Sequence, residues 1–212
     1  MPRFVELPEL PECDAETLAR AVRAMVEKQA AEVATPTVGP RALLARLPKI
    51  DRMEQGADQL FSSIPPASRE DEAAGTYFSA IIEACYLVAA ADGLAEEEGG
   101  AVRELIRFAT GEALVERRAQ QLFDSYGDLL EEQGLEARLD AIAERLDDFL
   151  AREECMGFAA LVAVADGELA EREMVVLMAL ASRFDFSAGE VQAVVHQVAR
   201  GLAEAVTKVR GP

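Results

Sequence analysis

Carboxylates are the side chains in this sequence best placed by type and spacing to do chemistry, and two groups of them recur in the same order. The first is Asp92 followed by Glu96, Glu97 and Glu98; the second is Asp166 followed by Glu168, Glu171 and Glu173. Acids grouped in this way can hold a divalent cation, share a proton for acid/base work, or charge-stabilise the start of a helix. Calcium takes six to eight oxygens, and Asp92-Gly93-Leu94-Ala95-Glu96 lacks the alternating Asp/Asn ligands of an EF-hand. One such loop cannot make a site alone; two brought together can. Carboxylates in a first helical turn are also favoured by the helix dipole, by about 0.3–1 kcal/mol each. Capping therefore accounts for the clusters without a metal, and both readings stand.

Other chemistries have less to work with. His196 is the single histidine and sits among Val194, Val195 and Val198, where an ordinary packed or interfacial role is expected. Zinc catalysis and histidine-activated nucleophiles have no second imidazole to use, and no Glu-x-x-His pair supports a di-iron centre. With 39 acidic residues some carboxylates must lie close together, and neither a glycine-rich phosphate loop nor a nucleophile elbow accompanies them. Catalysis by paired carboxylates is thus the weakest reading, and the chain reads as a non-enzyme. Cys13, Cys85 and Cys155 are odd in number and in no metal spacing, and the last two lie in apolar helical patterns. They read as thiols of a reducing compartment.

The elements that must position the acids follow from a repeated phrase. Leu87-Val88-Ala89-Ala90-Ala91-Asp92-Gly93 and Leu161-Val162-Ala163-Val164-Ala165-Asp166-Gly167 each end an apolar stretch at an Asp-Gly step, 166 − 92 = 74 residues apart. Skipping Glu168 aligns Leu94 with Leu169, Glu96 with Glu171, Glu98 with Glu173, Val102 with Leu177 and Leu105 with Leu180. This is the signature of a duplicated helix, corner and helix. Glycine suits the left-handed residue that ends a helix, and the preceding Asp can accept from N–H groups of the turn.

Around these corners the pattern predicts an all-α bundle of about seven core helices with an internal pseudo-two-fold helix-Asp-Gly-helix repeat. Strand-like runs are scarce: there are nine Phe, three Tyr and no Trp. Ser68 with Asp71 opens a helix carrying Tyr77, Phe78, Ile81, Ile82, Cys85 and Val88. A second runs through Val102 and Ile106 to Thr110-Gly111, a third through Leu122 and Tyr126 to Gly134, and a fourth from Leu135 through Leu146 and Phe149 toward Cys155-Met156-Gly157. Phe158 to Ala165 and Val175 to Phe184 flank the second corner, and Ser187 with Glu190 caps the last helix.

Residues 1–66 read as an N-terminal extension and 67–212 as the helical domain. The extension begins with an arm, Glu6-Leu7-Pro8-Glu9-Leu10-Pro11-Glu12, whose prolines disfavour helix. Asp14 then caps a helix carrying Leu18, Val22 and Met25 and ending before Pro36. Thr35 to Pro40 is punctuation, short helices follow near Leu43–Leu47 and Ile50–Phe61, and Pro65-Pro66 closes the region. Too few apolar residues are present for a separate core, so the extension is expected to dock on the domain.

The net charge of −18 opposes nucleic-acid and anionic-lipid surfaces and suits cations or basic partners. The first residues are not those of a secretory signal, and the uncharged runs fall short of the roughly 20 residues a membrane span needs, which predicts a cytoplasmic protein with no direct membrane insertion.

The paired phrases VAAADG and VAVADGELAEREM, followed by LASRFDFSAGEV, resemble the TerB-like family of tellurite-resistance proteins over residues 73–203. The resemblance implies a pseudo-symmetric helical bundle without enzymatic activity, linked to metal stress or to membrane-associated complexes. It also implies an acidic face that binds a divalent cation, Ca2+ or Mg2+, weakly. Carried onto this chain, Asp92, Asp166, Glu98 and Glu173 line that face, with Glu168 beside them. Ala95 and Ala170 stand where relatives often place an oxygen-bearing cap, which removes two potential ligands. The alternative is a structural adaptor that recruits a basic or membrane-associated protein through its acidic surface or N-terminal arm, with no role for metal.

Overall fold

Helical periodicity of small and branched apolar residues, interrupted by Gly and Asp-Gly, yields helices joined by short corners. The computed structural model describes residues 7–31, 69–110, 116–147 and 149–210. Seven helices occur among them: α1 (Ala15–Ala31), α2 (Arg69–Ala89), α3 (Glu96–Thr110), α4 (Glu116–Arg145), α5 (Phe149–Ala163), α6 (Glu171–Arg183) and α7 (Ala188–Arg210). The protein is an all-α bundle. The expected punctuation at 35–40, the short helices before Pro65, the cap at Ser68 and the break at Gly111 lie outside the described residues.

Where local chemistry was strong, the helix ends fall where expected. Asp14 Oδ1 accepts from Thr17 N at 2.8 Å and starts α1. Ser187 Oγ accepts from Glu190 N at 3.3 Å while Glu190 Oε2 accepts from Ser187 N at 2.7 Å, a reciprocal capping box that opens α7. Gly134 has φ 79° and ψ 161° and breaks α4 into two segments at the predicted point. The break expected near Cys155-Met156-Gly157 falls earlier. α5 runs unbroken through Gly157, and the chain leaves helix after Arg145. There Arg152 Nε donates to the Leu146 carbonyl at 2.8 Å, satisfying an acceptor that the ended helix leaves open.

α2 and α5 are the central helices. Ile82, Cys85, Val88, Ala89, Cys155, Ala159, Val162 and Ala163 are all buried. α1 packs its Leu18, Ala21 and Val22 into the same core. A buried ion cluster ties α2 to the second half of α4. Glu83, 1% exposed, accepts from Arg138 Nε at 2.7 Å and is also paired with Arg145. Arg138 further donates to Gln133 Oε1 at 2.8 Å, so the carboxylate and one guanidinium are both bonded. Between α2 and α5 the Tyr77 hydroxyl donates to Glu154, which is fully buried.

Candidate functional site

Both Asp-Gly corners place their glycine at positive φ. Gly93 and Gly167 have φ of 116° and 90°, a conformation that costs an L side chain about 1–2 kcal/mol and leaves glycine the fitting residue. Asp166 Oδ1 accepts from Glu168 N at 2.9 Å, the turn role expected for it. Ala95 and Ala170 then stand at the helix entrances without a capping oxygen, and the acid three residues on supplies the missing half of the box. Glu98 Oε2 accepts from Ala95 N at 2.9 Å, and Glu173 Oε2 accepts from Ala170 N at 2.8 Å.

The five acids of the candidate set do not share one fate. Glu98 and Glu173 are both 2% exposed, and their side chains hydrogen-bond to each other. Asp92 and Asp166 are exposed and act on the pair by charge: both raise the Glu98 pKa, and Asp92 raises that of Glu173. Glu168 is exposed and enters the corner through its backbone N–H.

Two buried carboxyls in contact cannot both be ionised without a counter-charge. Burial first, and then the hydrogen bond to Glu98, push Glu173 up to about 9. Burial also raises Glu98, but the hydrogen bond from Glu173 works in the opposite direction there and favours its charged form. Both carboxyls are therefore raised, and the pair shares a proton at neutral pH. Asp166 is raised as well, by desolvation first and then by the charges of Glu168 and Glu97. Glu173 Oε1 is buried and receives no N–H or hydroxyl donor. A proton shared with Glu98 satisfies it, and so would a cation.

The residues fit a cation only in part. Among the described residues no three Cys, His, Asp or Glu side chains converge in a way that could hold a metal ion. The buried pair offers two carboxyls, and a divalent ion needs more oxygens than these, from Asp92, Asp166 or water. His196 is exposed on α7. Cys85 and Cys155 are fully buried with pKa raised by desolvation, the inert state of a core thiol.

Beside the second corner lies a cavity of about 610 Å³ that the sequence reading missed. Leu10 to Asp14 of the arm form one wall, and Leu18, Glu97, Ala165 and Asp166 form the other. Leu10 lies directly over Gly167, where an added Cβ would come within 3.2 Å of the Leu10 Cβ. At the far end of the chain Arg210 Nη1 donates to the Glu12 carbonyl at 2.8 Å. The available signal was the Leu-Pro-Glu repeat of the arm, with no indication of which surface it covers.

Comparison of the chain with protein-family models, curated proteins and solved structures finds no match.

Proposed function

We propose that this protein is a non-catalytic helical interaction module, of the TerB-like kind its paired phrases resemble, and that its two Asp-Gly corners form one weak divalent-cation site in competition with a proton. The observation that carries the reading is the buried Glu98–Glu173 carboxyl pair, in which Glu173 Oε1 receives no N–H or hydroxyl donor. A cation such as Ca2+ or Mg2+ would replace the shared proton between these carboxyls and draw on Asp92 and Asp166, which already act on the pair by charge. Such a site is responsive because occupancy changes the charge of the two helix entrances that meet there. Weakness follows from the need to displace a proton held up to about 9 and to recruit exposed ligands.

The test is calorimetric titration of chelator-treated protein with calcium and magnesium at pH 6.5 and 8.5, alongside thermal unfolding. Binding is expected to strengthen with pH and to disappear in Glu173→Gln. At a hundredfold excess over the dissociation constant it should stabilise the protein by about 2.7 kcal/mol. Absence of heat and of a stability shift at millimolar cation at both pH values would reduce the pair to a structural helix clasp.

A further inference from the structure

The arm that covers the second corner is a ligand of the fold as well as a part of it. Its two triplets, Leu7-Pro8-Glu9 and Leu10-Pro11-Glu12, repeat every three residues, the period at which an extended proline-rich segment returns to the same side. In both triplets Leu and Pro are half-buried and Glu is exposed, and Leu7 and Leu10 pack against the core. The segment has neither helix nor strand and is anchored by its leucines and by Arg210 on the Glu12 carbonyl. This is how proline-rich peptides dock: preformed backbone, with apolar side chains repeating at fixed spacing.

Its charges do not suit the place. Glu12 of the arm and Asp14, the cap of α1, line the same cavity as Glu97 and Asp166 of the corner, so four acidic residues border one space. The Cys13 thiol between them is pushed up by burial, by Asp14 and by Glu97, with Arg210 opposing. Like charges brought together weaken a contact, and opposite charges there would strengthen it.

We propose that the groove at the Gly167 corner is a docking site for an extended Leu-Pro segment carrying Lys or Arg from a partner protein, and that residues 7–13 occupy it as a built-in weak competitor. The proposal rests on the interaction-module reading and names the partner's chemistry. It is independent of the cation, because its test is run in chelator and the cation titration contains no peptide. A basic segment keeps the leucine seat over Gly167 and exchanges the mismatch at Glu97 and Asp166 for ion pairs. The apparent affinity is reduced by the fraction of time the arm is seated, and loosening the arm raises it.

The experiment is fluorescence anisotropy of the full chain with two labelled peptides, Leu-Pro-Lys-Leu-Pro-Lys and Leu-Pro-Glu-Leu-Pro-Glu. The basic peptide is expected to bind and to weaken with added NaCl. Leu10→Ser, or Leu7→Ser should the first fail to fold, tightens it about tenfold by freeing the groove, and Glu97→Gln loosens it severalfold. Equal binding of the acidic peptide would assign the groove to arm exchange between copies and overturn the proposal. So would no binding of the basic peptide, or an affinity that neither leucine variant changes.

Discussion

The Glu98–Glu173 pair keeps a proton because full ionisation would leave two buried carboxylates in contact. Ionised, Glu173 would stand buried against Glu98 and within reach of the Asp92 charge; protonated, it donates to Glu98 and still accepts from Ala170 N. Its pKa rises from an ordinary 4.5 to about 9, so the folded protein holds a proton that the unfolded chain releases. The sign follows from linkage. The contribution is fully present below pH 4.5 and is lost as pH rises toward and through about 9. In chelator, thermal unfolding of the wild type should therefore weaken between pH 5 and pH 9. Glu173→Gln keeps both hydrogen bonds without a titrating proton, so its slope should be flatter. It should match the wild type near pH 5 and exceed it by about 1–3 kcal/mol at pH 9, several degrees in melting temperature. Parallel slopes for the two proteins would mean that the pair takes up no extra proton on folding.

At the scale of elements, the two corners offer an internal comparison. Both glycines need positive φ, but a Cβ at Gly93 meets nothing within 4 Å, whereas at Gly167 it meets the Leu10 side chain at 3.2 and 3.3 Å. Gly93→Ala should cost backbone strain alone, about 1–2 kcal/mol. Gly167→Ala should cost more and should also unseat the arm. The readout that separates the two effects is the alkylation rate of Cys13, which is half-buried at the end of the arm while Cys85 and Cys155 are fully buried. Faster Cys13 labelling in Gly167→Ala only is expected; equal acceleration in both variants would show general loosening. These elements also mark what the sequence made legible. Asp14, Ser187, Gly134 and the Asp-Gly steps act on residues within four positions of themselves, so their roles can be read from local chemistry. That Glu98 and Glu173 occupy equivalent places was legible from the repeat. That they touch was not, because contact between two helix entrances is set by how α2 and α5 pack. Glu83 left only a faint trace, one acid within the apolar run of α2, and its partners Arg138 and Arg145 lie more than fifty residues away on α4. The arm's seat on Gly167 likewise joins residues that no local pattern connects.

Across the whole molecule, a net charge of −18 sets a repulsive field that the compact state must bear. Ion pairs oppose it, but they divide into two kinds. Arg183 with Glu136 and Asp140, both at 2.6 Å, and Arg200 with Glu204 at 3.8 Å involve exposed carboxylates. Pairs of that kind contribute about 0–1 kcal/mol each and are screened by salt. The cluster of Glu83 with Arg138 and Arg145 is buried and is screened far less. Added salt therefore removes the long-range repulsion more effectively than it removes the attractions that matter most. The melting temperature in chelator should rise by several degrees between about 10 and 200 mM NaCl, over which the screening length falls from about 30 Å to under 10 Å. Potassium chloride should act like sodium chloride, because the effect is screening and not site binding. A melting temperature that falls over this range would show that the exposed arginine pairs outweigh the net charge, and the acidic surface would then be a stabilised network instead of a repulsive field.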